Sequence, residues 1–321
     1  MRTLHLPLAA ALLTGCAATA AHRAPAQSPA QSSAQSSAQS PSPSPATIAA
    51  LRTSIERRIA AVPGAQAAVW LRDLATGETL AVNAGTSFHA ASTMKVPVMI
   101  ELFRRADAGA LTLDSAVVLR NAFTSIVDGS PFAVDAGDDS DSSMYAKVGQ
   151  RVTLRELNER MITHSSNLAT NAIIERLDAQ RVNATAHALG AATIQVRRGV
   201  EDQKAFDAGL NNTTTARDLG VLMEALALDR AASKASCAAM RDILLRQAFN
   251  DEIPAGLPAG TPVAHKTGAI TATLHDAAIV YPGSRPPYVL VILTRAIKDT
   301  LVAQRLMADI SRDVWGAVTR R

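Results

Sequence analysis

The chain has 321 residues, 48% of them hydrophobic, and a formal net charge of +4. That length and apolar content support a folded core, and the modest charge, with no basic stripe interleaved with aromatics, excludes nucleic acid as a partner. Cys16 and Cys237 are the only cysteines, and no histidines stand in an H-E-x-x-H or clustered metal spacing, so neither a zinc hydrolase nor any metal or cofactor is expected.

Residues 1–16 read as a targeting segment: Arg2, then an apolar stretch from Leu4 to Leu13 too short to span a bilayer. Leu13-Thr14-Gly15-Cys16 has the form of a bacterial lipoprotein box, which predicts cleavage before Cys16 and lipid on that cysteine. The competing reading is a plain secretory peptide cut among Ala17, Ala18 and Ala20. Either one takes the domain out of the cytoplasm, to the periplasm or cell envelope. Residues 17–46 are mostly Ser, Pro, Gln and Ala and predict a disordered tether.

The rest, 47–321, predicts one domain. Ile48, Leu51, Ile55 and Ile59 fall near helical spacing over 47–61. Gln66 to Leu74 and Thr79 to Val82 read as a hairpin. A helix is expected from Ser92 to Ala108, ended by Gly109. Residues 121–147 fit no regular element. Their Asp128, Asp135, Asp138, Asp139 and Asp141 read as a solvated loop, with a calcium loop as the sharper alternative. Thr153-Leu154-Arg155-Glu156 is a capping-box pattern opening a helix to His164. Further helices fit 167–178, 181–189, 215–228 and 233–248. Pro262 to Gly268, His275 to Tyr281 and Tyr288 to Thr294 read as strands. A last helix, 298–318, carries Val302, Leu306, Ile310, Val314 and Val318 on one stripe. Strands at both ends with helices between predict an α/β (α+β) fold: an antiparallel sheet from N- and C-terminal segments flanked by helices, with an inserted all-helical subdomain.

Three short polar patterns stand in order along this frame: Ser92-Thr93-Met94-Lys95, Ser165-Ser166-Asn167 and Lys266-Thr267-Gly268. Each alone has an ordinary reading as a surface helix pair, a helix cap or a strand end. Together they offer a hydroxyl nucleophile, an amine one helical turn away to take its proton, a second hydroxyl to pass a proton on, and a cation with a hydroxyl for a carboxylate.

The order and context of these motifs resemble the class A β-lactamase family of penicillin-recognising serine enzymes. STMKVPVMIELF, TLRELNERMITHSSNLATN and VAHKTG carry the resemblance, with NTTTARDL a looser fourth stretch. It implies a β-lactamase/transpeptidase-like fold and acylation on Ser92. Lys95 would be base or proton relay. Ser165 would shuttle the proton to the leaving nitrogen. Asn167 would position the substrate amide and Lys95. Lys266, Thr267 and Gly268 would receive the substrate carboxylate. The oxyanion hole would be the N–H groups of Ser92 and Ala269. Glu201 stands where the family places its deacylation base. The supporting asparagine position instead holds Lys204 or Ala205, and Asn212 replaces an acid expected to pair with arginine. The competing role for Glu201 is an ion pair with Arg197 or Arg198. His275 falls near the family's carboxylate-binding arginine and would either help there or pair with Asp276.

The function implied is a monomeric, exported, lipid-anchored serine β-lactamase acting on a small-molecule β-lactam. A D,D-peptidase or esterase on the same fold, and a penicillin-binding lipoprotein that acylates once and stalls, stay open as alternatives.

Overall fold

The computed structural model describes residues 45–319. The expected targeting segment with Cys16, and the tether up to residue 44, lie outside the described residues. Helix α1 (Pro45–Ala60) opens the described chain, followed by strands β1 (Gln66–Asp73), β2 (Thr79–Val82) and β3 (Phe88–His89). A 3₁₀ turn, Ala91–Met94, runs straight into α2 (Lys95–Asp107). Short strands β4 (Ala116–Val118), β5 (Phe123–Thr124), β6 (Pro131–Phe132) and β7 (Arg151–Thr153) surround a second 3₁₀ turn, Ser142–Lys147. Then come α3 (Leu154–Thr163), α4 (Asn167–Leu177), α5 (Ala179–Ala188), α6 (Gln203–Asp207), β8 (Thr213–Thr214), α7 (Ala216–Ala227) and α8 (Lys234–Leu245). β9 (Val263–Ile270), β10 (Thr273–Val280), β11 (Tyr288–Arg295) and α9 (Thr300–Thr319) close the chain.

The main sheet has the order β2-β1-β11-β10-β9 and is antiparallel throughout. Its two ends of sequence meet at β1 and β11, where Gln66 faces Arg295 and Asp73 faces Tyr288. Side-chain alternation then fixes two cores. Val289, Val291 and Leu293 of β11 point into the core shared with the inserted helices, while Leu290 and Ile292 point into the one covered by α1 and α9. Leu51 and Ile55 of α1 meet Leu306, Ile310 and Val314 of α9 on that second face. Trp70 of β1 reaches the helical side, where α7 lies so close that a Cβ on Gly220 would fall 2.2 Å from the indole. The sheet from both chain ends and the inserted helices are as expected from the pattern.

Three expectations change. Ser92 lies in a 3₁₀ turn rather than in α2 itself, because Ala91 takes a left-handed φ of 45° and re-aims the chain. Val302 is 37% exposed, and Ala303 is buried in its place, so the buried stripe of α9 shifts by one residue at its start. The 121–147 segment is not simply a solvated loop. Asp139 and Asp141 are buried; Asp141 is held by the Arg160 guanidinium of α3, and Asp139 by donors described below. Among the described residues no cluster of three or more His, Cys, Asp or Glu side chains is placed to hold a metal.

Candidate active site

The site forms where β9 meets the turn carrying Ser92. Gly268 on β9 lies so close that an added Cβ would sit 3.0 Å from the backbone nitrogens of Ser92 and Thr93. Only a residue without a side chain lets the strand and the turn approach so nearly. Ser92 and Ala269 therefore line one cavity of about 450 Å³, together with Asn167, Glu201, His89 and Asp138.

Lys95 is fully buried at the start of α2. Its ammonium donates to the Ser165 carbonyl at 2.6 Å, to Asn167 Oδ1 at 2.8 Å and to Ser165 Oγ at 3.2 Å. Lys95 is thus bonded to the second motif rather than to Ser92. Lys266, also fully buried, donates to the same Ser165 Oγ at 3.1 Å and to the Thr267 carbonyl at 2.8 Å. One serine hydroxyl thus joins both lysines. Burial, and then the neighbouring Lys266 charge, push the Lys95 pKa well below the ordinary lysine value, against the opposing pull of Asp139 and Glu201. Burial pulls Lys266 down to about 7, although Asp276 and Glu252 act the other way. A lysine whose pKa is lowered by burial gives up its proton more readily and can serve as a base.

Glu201 faces the cavity and accepts from Asn167 Nδ2. Asn167 thereby spans Lys95 and Glu201 with a single side chain. Burial raises the Glu201 pKa, Asp139 and Asp138 add to the rise, and the hydrogen bonds from Asn167 and the Asp135 backbone oppose it. The alternative ion pair with Arg197 or Arg198 does not form. Arg198 donates to the carbonyls of Leu210 and Gly199 and to Asn211. Ala91, Ser165 and Glu201 all take left-handed φ values without being glycine. Such strain costs roughly 1–3 kcal/mol each and collects at functional sites.

The loop bearing Glu201 is fixed by side-chain amides that pair with backbone amides. Asn183 grips Val196 through both its N–H and its carbonyl, Asn171 grips Val200 the same way, and Asn212 accepts from Arg197 N and Arg198 N while donating to the Arg198 carbonyl. Asn212 thus closes the loop through backbone rather than through an acid–arginine pair. Ala205 is fully buried, and Lys204 reaches out to Asp128 and Ser130, so neither replaces the absent asparagine. None of these clamps was legible beforehand: backbone amides carry no sequence signature.

His275 is not at the cavity. It is buried against the Phe88 ring with its Nε2 2.8 Å from the His89 carbonyl, and burial pushes its pKa down to about 4. A neutral, enclosed ring offers a carboxylate nothing. Nor does it pair with Asp276, which lies on the other face of the sheet beside His265, 3.0 Å away. Strand parity explains the error, since adjacent residues on β10 point to opposite cores.

A model of the beta-lactamase enzyme family matches residues 50–318. The chain belongs to that family. It is 26% identical over 260 residues to a beta-lactamase from Bacillus subtilis (strain 168), an alignment covering 78% of each chain. It is also 26% identical to the carbapenem-hydrolyzing beta-lactamase KPC of Klebsiella oxytoca, covering 78% of this chain and 83% of that one. Among solved structures, PBP-A shares 28% identity at a TM-score of 0.73, covering 85% of this chain and 97% of the other.

Proposed function

We propose that this protein is a serine β-lactamase that opens the lactam as an ester on Ser92 and hydrolyses it with water activated by Glu201. The observation that carries this reading is the Lys95–Asn167–Glu201 bridge beside Ser92: a nucleophile's base and a water's base held together at one cavity. The lactam carbonyl sits with its oxygen toward the N–H groups of Ser92 and Ala269. Ser92 Oγ attacks the carbonyl carbon as its proton passes to Lys95. The C–N bond breaks, and the nitrogen takes a proton through Ser165, which Lys95 and Lys266 both touch. Lys266 and Thr267 receive the substrate carboxylate, whose charge favours the protonated form of Lys266. Glu201 then takes a proton from water, hydroxide attacks the ester, and Ser92 recovers its proton.

Export and a lipid on Cys16 belong to the same reading, supported by Leu-Thr-Gly-Cys directly after an apolar stretch. Among the described residues no helix is long and apolar enough to cross a membrane. The protein acts as a monomer and needs no cofactor. A second reading, a penicillin-binding enzyme that acylates and stalls, is favoured by one observation: where the family resemblance puts an asparagine for the water, Lys204 reaches away to Asp128 and Ala205 is buried without a polar side chain. Likeness to PBP-A, a variant of which is described as an acyl-enzyme complex with penicillin-G, is compatible with it.

Peptide mapping tests the shared first step. A slowly released β-lactam should add one equivalent of mass, located on the peptide holding Ser92, and Ser92→Ala should abolish it. Label on another residue contradicts the assignment.

A further inference from the structure

The reading above uses one carboxylate, Glu201, and leaves Asp139 without a part. Asp139 belongs to the segment between β6 and the Ser142–Lys147 turn, far in sequence from every motif, yet it is only 7% exposed. Both its oxygens accept from the Asn167 N–H at 3.0 Å, and Oδ2 also accepts from the Leu168 N–H at 3.0 Å. Tyr145 donates its hydroxyl at 3.1 Å, and the Asp141 N–H donates at 3.0 Å. The first N–H groups of a helix have no partner within it. At α4, Asp139 takes those of Asn167 and Leu168, while Ser166 caps that of Ala169 at 3.2 Å. The Ser166 hydroxyl alone could not hold all three.

What Asp139 grips is the backbone of the residue whose side chain spans Lys95 and Glu201. We propose that Asp139 is a positioning residue for both half-reactions: it fixes Asn167 so that one amide holds the acylation base and the deacylation base in register, and it lends its negative charge to both. This deepens the β-lactamase reading and rests on it.

The charge has a definite direction. Asp139 faces Tyr145 from its own segment, the N-terminus of α4, Lys95 from α2 and Glu201 from the loop opposite. Asp135, Asp138 and Asp141 are its acidic neighbours, and Lys266 of β9, which shares the Ser165 hydroxyl with Lys95, adds a positive charge there. Asp139 favours the protonated forms of Lys95 and Glu201 alike. Removing its charge lowers both pKa values. Both groups work as bases, so the acid limb of the rate profile moves to lower pH. A residue that only supported the fold would change the rate or the melting temperature and leave that limb in place.

The test uses the full chain with enzyme in excess over nitrocefin, so that ring opening reports acylation without needing turnover. Asp139→Asn keeps the shape and removes the charge. Ring opening should slow at least about tenfold at neutral pH, in line with loss of a positioned base, and its acid limb should move down. Asp139→Glu keeps the charge on a longer arm; ring opening should slow with the limb at the wild-type position. A limb that stays put in Asp139→Asn, or moves in Asp139→Glu, overturns the proposal. If the Asn variant does not fold, Asp139→Ser, which also removes the charge, takes its place with the same downward movement of the limb expected. Multiple turnovers by the wild type, measured separately, judge the hydrolytic reading without touching this comparison.

Discussion

At the scale of single residues, burial makes the chemistry. Lys95 and Lys266 are ordinary lysines until the fold strips them of water and sets them on one serine hydroxyl. The Lys266 pKa near 7 has a kinetic consequence. Below about 7 the ammonium is charged and attracts a substrate carboxylate; above it that attraction fades. The profile of kcat/KM, which reports the free enzyme, should therefore fall as pH rises through about 7 for a penicillin. The fall should be absent for the same penicillin esterified at its carboxylate, and an equal fall for both would remove Lys266 from carboxylate recognition. Ser92, Lys95, Ser165, Asn167 and Lys266 were legible because motif spacing brings them together wherever the fold is the same. Asp139 was not, because it recognises backbone N–H groups that every sequence has. His275 was misplaced because, although it stands opposite Gly268 on the site's side of the sheet, its ring is enclosed by Phe88 and bound to the His89 carbonyl instead of opening to the cavity.

Among elements, the long ones were legible and the short ones were not. The apolar periods of α1, α7 and α9 and the long apolar runs of the sheet's strands, buried on both faces, extend far enough to be read. Two-residue strands such as β3, β5, β6 and β8 have no period at all, and the 3₁₀ turn at Ser92 depends on one left-handed residue, Ala91. The element on which the proposed turnover depends is the loop between Val196 and Thr213, held by the amides of Asn183, Asn171 and Asn212. Asn212→Ala leaves the buried backbone groups of Arg198 without this partner, at about 1–3 kcal/mol for such a group. The loop should loosen around Glu201 while Ser92 and Lys95 stay in place. Single-turnover measurements should then show deacylation slowed at least about tenfold, a part of the roughly 10²–10⁴-fold a positioned base contributes, with acylation changed much less. Equal slowing of both steps would mean that the loop supports the whole site rather than Glu201.

For the whole molecule, one sheet gathers both ends of the domain and two cores lie on its faces. The site belongs to the face covered by the inserted helices. The described chain begins on the other, where Ser54 and Arg58 of α1 bind Asp313 of α9 at 2.7 and 2.6 Å. A tether entering at α1 is compatible with a domain held by lipid at Cys16. Cys16→Ser should move the protein out of the membrane fraction or block its processing; wild-type protein found soluble, with an N-terminus beyond Cys16, would contradict the anchor. The central claim is that Glu201 makes the acyl-enzyme turn over, and its most direct test is nitrocefin hydrolysis by the full chain and by Glu201→Gln. The wild type should hydrolyse many equivalents. Glu201→Gln should release one equivalent in a burst and then fall to a steady rate roughly 10²–10⁴-fold lower, the usual contribution of a positioned base. A wild type that stops after one equivalent, or a Glu201→Gln variant that keeps the wild-type steady rate, would contradict the account.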